Sequence, residues 1–113
     1  MKTVTAGLRE LSDLAFQRRV WTGRGSAGEM SSFEEAVSTL FEDSGLEAEL
    51  ERGRVVFGPD VDAELRSLRS LVQRIDPYRD PDVVIDDSLM GQVRQRAASI
   101  LEMISKEDRN ASI

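Results

Sequence analysis

The chain of 113 residues has no cysteine and no histidine. The missing thiols exclude disulfide frameworks and thiolate nucleophiles. The missing imidazoles exclude histidine-based zinc sites, Ser–His–Asp machinery and the one side chain that titrates near neutrality without a shifted pKa. Aromatics are scarce, with a single tryptophan, Trp21, and a single tyrosine, Tyr78. Lysine is nearly absent: positive charge is carried by arginine except at Lys2 and Lys106, a bias that reads as the codon usage of a GC-rich, bacterial genome. No apolar run approaches the ~18 residues of a membrane span, so no membrane partner is expected. The stretch from Met1 to Val4 leads into an amphipathic pattern with Glu10 and Asp13 rather than an apolar signal core, and the expectation is a cytoplasmic protein. No catalytic residue, metal ligand set or cofactor is assigned, and the chain is not expected to be an enzyme.

What is present is an ordinary globular composition, 40% hydrophobic and 32% charged. The length matches one domain of roughly 100–150 residues. The domain is placed at 1–105, with a polar, frayed tail at 106–113. Over residues 4–18, Val4, Leu8, Leu11 and Ala15 fall at helical spacing with Leu14 beside them, and Gln17 falls on the polar side. Ser32-x-x-Glu35 forms a capping box for a second helix, with Phe33, Ala36, Val37, Leu40 and Phe41 as its apolar stripe and Gly45 as a left-handed stop. Asp60 opens a third helix carrying Val61, Leu65, Leu68, Val72 and Ile75, with an Asp62–Arg66 pair, and Asp76-Pro77 ends it. A fourth helix from Asp87 or Ser88 turns Met90, Val93, Ala97, Ile100, Leu101 and Ile104 inward.

Two segments are less regular. In "LEAELERGRVVF", residues 46–57, Leu46, Ala48 and Leu50 alternate with Glu47, Glu49 and Glu51 before Arg52-Gly53. A two-residue turn there pairs Leu50 with Val55 and Ala48 with Phe57 and predicts a β-hairpin. Leu, Glu and Ala also favour helix, which keeps a helical alternative open. Residues 76–87 read as a loop in which Val83-Val84-Ile85 forms a short third strand. The expected order is α-α-β-β-α-α, an α+β and mainly helical fold of about four helices around a central hairpin.

Gly23-x-Gly25-x-x-Gly28 has the glycine spacing of a dinucleotide-binding loop. A buried strand must precede such a loop, yet Gln17, Arg18 and Arg19 interrupt the only candidate. The helix cap lies at Ser32, beyond Gly28, which removes the helix N-terminus that would hold the phosphate. The stretch is read as an interhelical linker. Asp80, Asp82, Asp86 and Asp87 form the densest carboxylate cluster, but calcium-loop spacing puts Val84 at a ligand position and supplies no glycine. Asp86, Asp87 and Ser88 are read as favouring the positive end of helix four.

Charge is uneven. Residues 29–51 carry eight acidic and no basic side chains, a block that repels nucleic acid and attracts basic surfaces. The expected function is a small non-catalytic interaction protein, in its most concrete form an immunity- or antitoxin-type inhibitor that presents acid to a basic protein, as a monomer or homodimer and without nucleic acid. The partner-binding residues are Glu34, Glu35, Glu42, Glu47, Glu49 and Glu51, with Trp21 and Tyr78 as aromatic anchors. The alternatives are a small metal-binding domain or enzyme using the Asp80 to Asp87 cluster, and a DNA-binding regulator reading through Arg66, Arg69 and Arg74.

Overall fold

Helices α1 (Lys2–Ser12), α2 (Leu14–Phe16), α3 (Phe33–Ser38), α4 (Leu46–Glu51), α5 (Pro59–Gln73), α6 (Pro81–Asp86) and α7 (Ser88–Ala111) follow one another along the chain. The structure, a computed structural model, describes residues 2–23 and 30–111. Widened π-type turns, Gln17–Trp21 and Thr39–Asp43, continue α2 and α3. Among the described residues there is no β-strand, so the fold is all-helical and the expected α+β class with its central hairpin is overturned. The long α7 packs against both α1 and α5, and α1 also crosses the π segment that follows α3. Gly25 and Gly28 of the glycine spacing lie outside the described residues; Gly23, with φ of +81°, closes the turn after Trp21.

The hairpin segment is helix α4 followed by an irregular stretch. A strand would put Leu46, Ala48 and Leu50 on one face, whereas Leu46 and Leu50 are buried and Ala48 is exposed, the spacing of a helical turn. Arg52-Gly53 makes a helix C-terminal motif rather than a hairpin turn. Gly53 sits at φ +70°, its N–H donates to the Leu50 carbonyl (3.2 Å), and the Arg54 N–H donates to the Glu49 carbonyl (3.2 Å). Those are the paired bonds of a Schellman motif, which needs the same left-handed glycine that a tight hairpin needs. Val55, the expected partner of Leu50, is 70% exposed. The amides of Val56 and Phe57 find the buried Asp62 carboxylate, at 2.8 and 3.0 Å, in place of a partner strand. Asp62 is thus committed to the preceding loop, and Arg66 donates to the Leu50 carbonyl (3.3 Å). Helix α5 itself starts at Pro59, one residue before the expected cap Asp60.

Residues 76–87, expected as a loop with a short strand, contain α6. Asp80 accepts from the Asp82 amide (3.0 Å) and Pro81 occupies the first turn, so the prolines that suggested a loop start a helix. Val84 and Ile85 are buried on one side of it. The first expected helix is broken at Asp13, whose backbone is extended and whose carboxylate accepts from the Phe16 amide (3.0 Å). The break shifts the helical phase: Leu14 and Ala15 face solvent and Gln17 is fully buried. Gln17 is satisfied there, its amide donating to the Glu10 and Leu11 carbonyls (both 2.9 Å) and its oxygen accepting from Arg94 (3.0 Å). The stripes of α3, α5 and α7 bury as expected, apart from half-buried Val37 and Leu101, and join Val4, Leu8 and Leu11 in one apolar cluster.

Candidate functional site

The local sequence of α3 builds one wall of a groove. The Ser32 hydroxyl accepts from the Glu35 amide (3.1 Å) and fixes where the helix begins, the hydroxyl half of the expected capping box. With that start, Phe33 and Val37 form one row and Glu34, Ser38 and Glu42 a second row beside it, each at four-residue spacing. Ser38 donates to the Glu42 carboxylate (3.4 Å). The opposite wall comes from the end of α5 and the turn that follows: Val72, Gln73, Ile75, Pro77 and Tyr78. Together they enclose about 470 Å³.

The turn is tied by hydrogen bonds and an ion pair. The Tyr78 amide donates to the Asp76 carboxylate (3.0 Å) and Arg79 donates to the Asp76 carbonyl (3.2 Å), while the Arg79 guanidinium pairs with Asp87 at 2.8 Å. Asp87 also accepts from the Leu89 amide (2.8 Å), capping α7. That backbone bond, and then Arg79, hold the Asp87 carboxyl below its ordinary pKa. On this anchored backbone the Tyr78 ring is 86% exposed over the groove.

Phe33, Glu34 and Pro77 also line a smaller recess of about 60 Å³, completed by Trp21, Ser32, Arg79, Pro81 and Val84. Trp21 is buried, stands edge-on to Phe33 (centroids 6.0 Å apart, planes at 74°) and donates its indole N–H to Glu10 (3.0 Å). Ser31 donates to the same carboxylate. Trp21 and Glu42 both belong to the widened π turns, a geometry found often at functional sites.

Four of the eight residues expected to bind a partner therefore meet here: Trp21, Glu34, Glu42 and Tyr78. Glu35 does not line the groove; it lines another depression with Val20, Met30 and Ser31, to which Trp21 and Ser32 of the recess also contribute. Glu47, Glu49 and Glu51 lie on α4, beyond the turn at Gly45, and Glu49 is already paired with Arg52 (3.4 Å) and Arg54 (3.8 Å). The apolar lining, Phe33, Val37, Val72, Ile75 and Pro77, carried a readable trace only in α3, where the two rows run side by side.

The other candidate sites have structural occupations. Asp80 caps α6, Asp86 pairs with Arg18 (3.2 Å), and Asp87 caps α7 and holds Arg79. Among the described residues no three acidic side chains are grouped to hold a metal ion. Arg94 is half-buried near this cluster, bonded to Gln17 (3.0 Å) and the Ile85 carbonyl (3.1 Å). Burial and the neighbouring Arg18 lower its pKa and Asp86 raises it, yet a guanidinium stays charged throughout. Of the arginines considered for reading DNA, Arg66 is bound to the α4 carbonyl, Arg69 is half-buried and Arg74 is exposed. Among the described residues no helix is long and apolar enough to cross a membrane. No family model matches the chain, and no curated protein or solved structure matches it either.

Proposed function

We propose that this protein is a non-catalytic interaction domain of the cytoplasm that binds a basic protein through the α3–α5 groove. The observation that carries the reading is the meeting of Glu34 and Glu42 with exposed Tyr78, on a hydrogen-bonded turn, along one groove. Acid beside an apolar floor recruits a positively charged surface by long-range attraction and then gains from desolvating an aromatic contact. An inhibitor of the immunity or antitoxin type is the concrete form of such a role, since it needs a compact scaffold and a complementary surface and no reaction. The acidic block of residues 29–51 supports a basic partner over nucleic acid.

The test uses variants chosen for the helix they sit in. Glu34 lies in the first turn of α3, where a carboxylate favours the positive end of the helix by about 0.3–1 kcal/mol, so it is neutralised as Glu34→Gln. Glu42 lies near the other end and tolerates reversal, Glu42→Lys. A basic protein captured at low salt and then purified should associate more slowly with E34Q/E42K, and more slowly as salt shortens the Debye length from about 10 Å at 0.1 M to about 3 Å at 1 M. An association rate indifferent to both changes overturns the reading.

A further inference from the structure

We infer that the occupant of the groove is an extended basic segment of the partner that inserts one aliphatic side chain, of valine to leucine size, into the adjacent recess lined by Trp21. This rests on the reading of the groove as a binding surface and adds what it selects. A cavity needs about 10–15 Å³ to admit one water-sized sphere, so about 60 Å³ admits about four or five, the bulk of a branched aliphatic side chain and too little for an indole. The walls suit such a group. Phe33, Pro77, Val84 and the Trp21 ring are apolar, and the Arg79 guanidinium at the rim is already neutralised by Asp87. Charge sets the rest of the segment. Glu34 and Glu42 stand eight positions apart, about 12 Å along the helix, a span that an extended chain covers in about four residues. Glu34 borders the recess and Glu42 does not. The geometry therefore selects two arginines or lysines about four positions apart with the aliphatic residue two positions from one of them, on the same face of the extended chain, and Tyr78 covers the segment from the opposite wall.

The probe is a synthetic seven-residue peptide with arginines four positions apart and a leucine two positions from the first, on the same face of the extended chain, titrated into the full chain. Trp21, the only tryptophan, reports on the recess by its fluorescence, and the methyl resonances of Val37, Val72, Ile75 and Val84 report on the groove. Binding should shift both signals. Replacing the peptide leucine by alanine, read by both signals, or by tryptophan, read by the methyl resonances alone, should each weaken binding about tenfold, as should Tyr78→Ser and E34Q/E42Q in the protein. Tyr78→Ser leaves the fold intact because its ring is solvent-exposed. If the leucine and alanine peptides bind equally and E34Q/E42Q still weakens them, the acidic surface stands and the aliphatic recess falls. If no basic peptide perturbs Trp21 or these methyls, and no basic protein associates in a salt-dependent way, both readings fall. Concentration-dependent shifts of the same methyls without peptide would make a second copy of the chain the occupant and overturn the proposal.

Discussion

Gly7 lies where α1 crosses the π segment after α3, and the space a side chain would take is filled by Leu40. A Cβ built on Gly7 would stand 2.8 Å from the Leu40 Cβ and 3.0 Å from its Cα. Gly7→Ala is expected to destabilise the protein by about 1–3 kcal/mol, overpacking that outweighs the gain of about 1 kcal/mol in helix propensity. Gly91 in α7 is the control: its Cβ would meet only the Arg94 side chain at 4.0 Å, and Gly91→Ala should stabilise by about 0.5–1 kcal/mol. Urea denaturation of both variants separates crossing from propensity, and equal effects would show that the crossing tolerates a methyl. Asp87 makes a second residue-scale prediction, through protons. Its pKa is lowered in the folded state, so its contribution is present above the unfolded value of about 4 and is lost as pH falls through the lower folded value. The stability difference between wild type and Asp87→Asn should be largest near neutrality and shrink below about pH 4. A difference that stays constant from pH 7 to pH 3 would detach Asp87 from the acid response.

At the scale of elements, the decisive group is Asp62. It is buried in the first turns of α5, yet its carboxylate serves the loop before the helix, accepting from Val56 and Phe57. In the expected hairpin only the Val56 amide, opposite Glu49, would have donated across the ladder, whereas Asp62 serves both neighbouring amides. Asp62→Ala leaves them without that acceptor and should cost about 1–3 kcal/mol, while Asp62→Asn, which keeps one acceptor oxygen, should cost less. Hydrogen exchange should show Val56 and Phe57 losing protection first in the alanine variant. Unchanged exchange there would mean that the half-buried Phe57 ring, not the carboxylate, orders residues 54–58. The same scale explains why the helical phase of α1 does not continue past Asp13. A helix phase carried through that residue turns Ala15 in and Gln17 out, and the cap at Asp13 reverses both. Asp in mid-helix is a legible warning, because its side chain competes for nearby amides.

For the whole molecule, the 24-residue α7, about 36 Å long, sets the long axis of a 42 × 28 × 23 Å body and supplies the surface on which α1 and α5 pack. The sequence by itself determined which residues of α3, α5 and α7 are buried, where α3 starts and where its π continuation stops at Gly45, because hydrophobic period, Ser32 and a left-handed glycine act within a few residues of one another. It also marked Glu34, Glu42, Trp21 and Tyr78 as exceptional by charge and rarity. Only the tertiary structure decided that residues 46–57 are a helix and a clamped loop. The alternation Leu46, Ala48, Leu50 and the Arg52-Gly53 pair serve a hairpin and a Schellman-ended helix equally, and the choice rests on the Asp62 carboxylate. Tertiary structure alone also divided the acidic block, sending Glu47, Glu49 and Glu51 around the turn at Gly45 and bringing Tyr78 across from Glu34 and Glu42. Local sequence records what each residue prefers, whereas a groove is made by residues more than thirty positions apart meeting through a shared core.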